Sequence, residues 1–259
     1  MTRIVGILNI TSDSFSGDGV LGAKDASARV DAMIADGASV IDIGAESTRP
    51  GAQILSPQEE WQRLEPVAKA VRARKGEVEF SVDTRHVEIA AKALESGFSW
   101  INDVSGGEDS GMFKLAKASG CKLALMHSLT IPADPSRILD TTDPVGEVVE
   151  WGRRALEQAD KAGLARRQIV LDPGIGFGKS PEQSLALVKD IGRLKALGAA
   201  VLVGHSRKSF LRLFTGKPAA ERDPETLAFS CYLAEQGVDY LRVHDVKSHA
   251  AMLRIRGAL

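Results

Sequence analysis

The chain alternates between two hydrophobic periods, and it does so eight times. Short apolar runs, Ile4–Leu8, Val40–Ile43, Phe80–Val82, Trp100–Asn102, Leu123–Met126, Ile169–Leu171, Val201–Val203 and Tyr240–Val243, read as strands. Between them apolar residues recur at helical spacing: Val30, Met33 and Ile34; Trp61, Leu64, Ala68 and Val71; Val145, Val148 and Val149; Leu187, Val188, Ile191 and Leu194. A glycine precedes seven of the strands, at Gly37, Gly76, Gly97, Gly120, Gly163, Gly198 and Gly237. Glycine reaches the left-handed conformation cheaply, so it often closes a helix where the chain turns into a strand. With no composition break along the way, the pattern implies one parallel α/β domain.

Such a sheet either closes on itself or stays open and doubly wound. The open, dinucleotide-binding version loses its best support, because the first strand continues as Gly6-Ile7-Leu8-Asn9-Ile10-Thr11 with no G-x-G-x-x-G. Eight units in 259 residues match a closed barrel. The expectation is a single-domain (β/α)8 TIM barrel spanning residues 1–259. Lys+Arg 33 against Asp+Glu 34 leaves a formal charge of −1, with no basic excess to coat a nucleic acid. No apolar run approaches the length of a membrane span, and Met1-Thr2-Arg3-Ile4-Val5-Gly6 runs into a strand without signal-peptide grammar. Cys121 and Cys231 are too few for a disulfide framework or a multi-thiolate zinc site and suit a reducing compartment. A cytoplasmic protein with neither nucleic-acid nor membrane partners is expected.

Barrel enzymes build their sites at the carboxyl ends of the strands. Those ends carry Asn9, Asp42, Asp83, Asn102 with Asp103, His127, Asp172, His205 with Ser206, and Arg242 with His244. Any one of them reads equally well as a loop start or helix cap. Polar groups at all eight ends of one rim need partners or ligands. Asn9 opens a small, polar stretch to Gly19 that suits a lid over a metal–phosphate group. Glu46-Ser47-Thr48-Arg49-Pro50-Gly51 holds an Arg suited to phosphate or carboxylate, though alone it is no better than a surface loop. Asp172-Pro173-Gly174-Ile175-Gly176-Phe177-Gly178-Lys179-Ser180 lets backbone approach a ligand closely and offers an aromatic face, but Pro173 stands where a nucleotide P-loop needs glycine. Gly204-His205-Ser206-Arg207-Lys208-Ser209 and Arg242-Val243-His244-Asp245 lie on the last two units. Arg242 and His244 share one strand face there and join Arg207 or Lys208 in a cationic pocket, a frequent phosphate location in barrels. His86 and His249 fall in helical stretches and read as surface or satisfied residues. The residues alone support a barrel that binds an anion beside strand-end carboxylates and amides.

These motifs, with Ser81-Val82-Asp83-Thr84, Ile101-Asn102-Asp103-Val104 and Met126-His127, resemble the dihydropteroate synthase family in order and placement nearly end to end. The resemblance implies condensation of 6-hydroxymethyl-7,8-dihydropterin diphosphate with p-aminobenzoate to 7,8-dihydropteroate and diphosphate, assisted by Mg2+. It implies that Asp83, Asn102, Asp172, Gly204 and Lys208 bind the pterin. Asn9 would help hold Mg2+ and, with Arg242 and His244, the diphosphate. Thr48, Arg49, Pro50, Phe177 and Ser209 would frame the p-aminobenzoate pocket. Asp83, Asp172, Lys208, Arg242 and His244 would carry catalysis, by ionisation-first displacement without a covalent intermediate. Two further implications are competition by sulfonamides for p-aminobenzoate and a homodimer, for which Leu227, Cys231 and Ala234 offer an apolar helix stripe.

The sequence departs from the family pattern in places. The first loop reads Ser16-Gly17-Asp18-Gly19 where an Asp directly followed by two glycines is usual, and Ser128-Leu129-Thr130 follows His127 in place of Met-Gln-Gly. His205 stands where the family has a small or apolar residue and reads as a satisfied strand-end histidine. Two other readings are a methyltetrahydrofolate-binding module of a corrinoid methyltransferase and a non-catalytic pterin-binding paralogue. The first has no use for the Ser-Arg-Lys-Ser and Arg-x-His pocket.

Overall fold

In the computed structural model, which describes residues 1–10, 23–48 and 51–258, eight parallel strands close into a barrel in sequence order. The elements run β1 (Arg3–Asn9), α1 (Ala23–Asp36), β2 (Val40–Gly44), α2 (Pro57–Ala73), β3 (Glu79–Asp83), α3 (Val87–Glu95), β4 (Trp100–Asp103) and α4 (Gly111–Ser119). They continue with β5 (Lys122–Met126), α5 (Pro144–Ala162), β6 (Ile169–Asp172), α6 (Pro181–Lys189), α7 (Gly192–Lys195), β7 (Ala200–Val203), α8 (Asp223–Glu235), β8 (Tyr240–Val243) and α9 (Val246–Ala258). The β1–β8 pairing, with Val5 opposite Arg242, closes the ring.

Local chemistry explains the boundaries. Ser56 and Ser180 each cap a helix through a reciprocal bond with the third helical residue, Glu59 and Gln183, ahead of Pro57 and Pro181. All seven glycines singled out before strands have positive φ, from 70° at Gly120 to 106° at Gly97. The repeat Leu187, Val188, Ile191 and Leu194 reads as one helix in sequence, but the chain breaks into α6 and α7 at Asp190, whose φ of −114° and ψ of 33° interrupt the spiral. All four side chains are buried nonetheless. In α8 the buried line is Thr226, Ser230 and Leu233 with Ala234, whereas Leu227 and Cys231 lie half-buried.

The strand period of two separates two cores. Outward-facing residues such as Ile41, Ile43, Phe80, Val82, Ile101, Leu123, Leu171, Val203 and Leu241 pack under the helices. Val5, Val40, Trp100, Ala124, Val170, Leu202 and Tyr240 form a separate cluster that fills the barrel interior. Two residues along the same strands, hence on the same inward face, come Asp42, Asn102, Asp172, Gly204 and Arg242. Asp83 follows Ser81 in the same way. An apolar layer thus blocks the barrel from below, and a polar layer sits directly on it.

Candidate active site

Register brings the polar residues together. Asp83 lies opposite Asn102, Gly44 opposite Asp83, and Met126 opposite Asp172. Arg242 reaches across the mouth, with Nε 2.6 Å from Asp42 Oδ2 and Nη2 2.7 Å from Asp83 Oδ2. Asn102 Nδ2 donates to the same Asp42 oxygen at 3.0 Å. On the far side the Asp172 carboxylate accepts the Gly174 N–H at 2.7 Å. A Cβ placed on Gly204 would stand 3.6 Å from Asp172 Oδ2 and 3.8 Å from Arg242 Cδ. A side chain at position 204 would therefore occupy the space beside the Asp172 carboxylate and the Arg242 side chain.

Burial dominates the electrostatics. Asp83 is pushed up to about 7, chiefly because its charge is poorly solvated there; Arg242 opposes the rise, while Asp42, Glu60 and Glu46 add to it. Burial likewise raises Asp172 against the pull of Lys208 and the Gly174 N–H. Lys208 is lowered to about 8 by burial, with Asp172 opposing. Its Nζ sits 2.5 Å from the Ile175 carbonyl oxygen and 4.4 Å from the centroid of the Phe177 ring, a cation–π distance. Asp42 and Asp83 hold the Arg242 guanidinium protonated above its ordinary value despite burial. A planar, hydrogen-bonding heterocycle beside an anion is what such a mouth can hold: carboxylates and an amide read a donor–acceptor edge, and two cations stand alongside.

The other expected residues that are described lie at strand ends and on the loops that follow them. Asn9 closes β1 at the same rim, opposite Gly44, and is half-buried. His244 stands just past β8, with Nδ1 2.8 Å from Ser206 Oγ, which also accepts the His244 backbone N–H at 3.3 Å. Thr48 is half-buried, and its carbonyl accepts the Ala133 N–H. Phe177 is half-buried beside Lys208, and Ser209 is exposed at the start of a short turn of 3-10 helix. Arg49, Pro50 and the first loop with Gly17 and Asp18 lie outside the described residues. Among the described residues no three His, Cys, Asp or Glu side chains gather as a metal cage. None of the described helices is long and apolar enough to cross a membrane.

Several residues without an assigned role in the sequence prove central. Asp42 joins Asn102 to Arg242 and is 1% exposed. Its signal was an acid interrupting the apolar run Val40–Gly44 at an inward position. Lys179 bonds His127 Nδ1 at 2.8 Å and the carbonyls of Gly174 and Phe177 at 3.0 and 2.8 Å, strapping the glycine-rich loop from inside. Glu46 accepts from Arg85 Nε at 2.9 Å and from the Leu55 N–H at 2.8 Å, so the acid of the second motif braces its own loop. The histidines read as satisfied are so. His86 Nδ1 lies 2.7 Å from Glu60 Oε2, and His205 Nε2 and His249 Nε2 meet at Ser230 Oγ, 2.7 and 2.8 Å away.

Comparison with known proteins bears on what this mouth holds. The family model described as pterin binding enzyme matches residues 5–244. The folate synthesis bifunctional protein of Chlamydia muridarum is 42% identical over 262 residues, covering 97% of this chain. The chain spans only 58% of that relative's length. A dihydropteroate synthase structure from Anaplasma phagocytophilum with bound 6-hydroxymethylpterin-monophosphate superposes with a TM-score of 0.92 at 40% identity, covering 99% of this chain and 98% of that one. The Yersinia pestis dihydropteroate synthase in a sulfonamide drug complex gives 0.93 at 33% identity, covering 99% and 94%. The Thermus thermophilus enzyme in complex with 4-aminobenzoate gives 0.88 at 38%, covering 100% and 94%.

Proposed function

The chain belongs to the pterin-binding enzyme family, and from that premise we propose that it catalyses the dihydropteroate synthase reaction. In that reaction 6-hydroxymethyl-7,8-dihydropterin diphosphate and p-aminobenzoate give 7,8-dihydropteroate and diphosphate. The observation that carries the proposal is the convergence of Asp83, Asn102 and Asp172 with Arg242 and Lys208 around Gly204 at the barrel mouth. We read residues 1–259 as a single pterin-binding domain, acting in the cytoplasm as a homodimer, with Cys121 and Cys231 as free thiols.

In this reading the pterin ring enters the space at Gly204, with its aminopyrimidine edge toward Asp172 and Asn102. Lys208, held between Ile175 and Phe177, borders the ring. The C–O bond to the diphosphate breaks first, and its electron pair leaves with the diphosphate oxygen. Arg242 and His244 take up that charge. The cation left on the methylene carbon spreads into the ring beside the Asp83 and Asp172 carboxylates. The arylamine nitrogen, aligned by Thr48, Arg49, Pro50, Phe177 and Ser209, forms the new C–N bond and then loses a proton. When bound, Mg2+ supplies further neutralisation of the diphosphate oxygens. Asn9 at the rim would help hold it and the diphosphate, and one amide oxygen suits an ion that takes few protein ligands beside substrate phosphates.

The test is diphosphate release from the dihydropterin diphosphate with Mg2+, with and without p-aminobenzoate. Dihydropteroate formed in step with diphosphate supports the proposal. Pterin binding without any dihydropteroate sinks it.

A further inference from the structure

Asp42 makes two bonds with one oxygen. Its Oδ2 accepts from Arg242 Nε at 2.6 Å and from Asn102 Nδ2 at 3.0 Å, while its Oδ1 is buried with no partner among the described residues. A carboxylate can only accept, so Asn102 must turn its NH2 toward Asp42 and its carbonyl oxygen away. That oxygen has no hydrogen-bond partner among the described residues, which leaves it as an acceptor for a ligand. A guanidinium is a rigid planar fork. With Nε on Asp42 and Nη2 on Asp83, one edge of Arg242 is consumed and the Nη1 side remains to meet an anion.

A purely structural bridge would not need a carboxylate here. An asparagine at position 42 with its oxygen in the Oδ2 place would accept the same two bonds without burying a charge. The negative charge is therefore the feature to explain. Resting on the synthase reading, we propose that Asp42 is a positioning residue, which sets the Asn102 amide as an acceptor and divides the Arg242 charge between two carboxylates so that Asp83 does not hold it alone. Asp83 is faced by Asp42, Glu46 and Glu60 on one side and by Arg242 on the other, and it also acts on Lys208. Removing the Asp42 charge takes away a repulsion and gives Asp83 more of Arg242.

The experiment compares wild type with Asp42→Asn, which keeps an acceptor and removes the charge, and with Asp42→Leu, which removes both. In the ligand-free protein the Asp83 ionisation midpoint is followed by carboxyl carbon NMR. Calorimetry with 6-hydroxymethylpterin measures binding. In Asp42→Asn the midpoint moves to lower pH by about one unit, as loss of a nearby like charge requires. Pterin affinity falls by about tenfold in Asp42→Leu, where Asn102 loses the acceptor that orients it, and stays near wild type in Asp42→Asn, which keeps that acceptor. An Asp42→Asn protein whose Asp83 midpoint stays in place, or an Asp42→Leu protein whose pterin affinity matches wild type, overturns the proposal. Should wild type itself bind no pterin, the synthase reading falls, and the ionisation midpoint alone decides the role of Asp42.

Discussion

Lys179 Nζ lies 2.8 Å from Nδ1 of His127, and both side chains are buried beneath the glycine-rich loop. The lysine donates and the imidazole accepts. Burial first, and the neighbouring lysine second, lower His127 to about 3, so it stays neutral. Burial lowers Lys179 to about 7, with Asp172 opposing. Lys179→Met leaves several buried acceptors without a donor, a loss of about 3 kcal/mol. Thermal unfolding is expected roughly 6–12 °C earlier. A melting temperature equal to wild type would show that the loop does not depend on this strap.

The same loop has no room for a side chain at Gly174. Its φ is +66°, and a Cβ would stand 1.9 Å from the His127 carbonyl oxygen. Gly174→Ala is expected to cost about 3 kcal/mol or more through strain and backbone displacement. Gly216→Ala, with nothing within 4 Å and no positive φ, serves as the control. Equal denaturation midpoints for the two variants would contradict this account.

The raised ionisation of Asp83 predicts the pH dependence of turnover. A carboxyl at about 7 is mostly neutral below that pH and ionised above it. A cation forming on the substrate favours the ionised form, so kcat/KM rises through pH 7. Asp83→Asn is expected to remove this acid limb and to lower kcat/KM by roughly 100-fold. Persistence of the limb in the variant assigns it to another group.

His205 predicts the pH dependence of stability. Burial is the main cause of its fall from 6.5 to about 4, so the folded state keeps it neutral where the unfolded chain protonates it. Between those values the unfolded state binds more protons. Its contribution is thus fully present above pH 6.5 and lost as the pH falls toward 4, on the order of 3 kcal/mol. Urea unfolding of His205→Gln from pH 7 to 4 is expected to show a shallower acid loss than wild type. Parallel curves would remove His205 from the explanation.

Sulfonamides are expected to compete with p-aminobenzoate for the subsite around Thr48, Phe177 and Ser209. Steady-state rates should show a rising KM for p-aminobenzoate at constant kcat as sulfonamide increases. Unchanged turnover in saturating sulfonamide would exclude competition.

Much of this molecule was legible from its sequence because the signals are local. Alternating periods and pre-strand glycines depend on neighbours in the chain, so the eight units and their helix ends could be read directly. The rim residues were legible for a related reason: position along a strand places a side chain at the end of the barrel and parity turns it inward. Parity also marked Asp42 and Ser81 as inward, but nothing local says what meets them there.

The split between α6 and α7, the burial of Thr226 and Ser230 in place of the Leu227–Cys231 line, and every partner across the mouth came only from the closed barrel. Asp42 and Arg242 are 200 positions apart in sequence, and Lys179 and His127 are 52 apart. Such pairs form when ring closure sets strand register and buries charges that must then find one another. The sequence by itself determined the units, their order and the polar rim; tertiary structure decided which rim groups are tied together, which carry shifted ionisation and which are left to face a ligand.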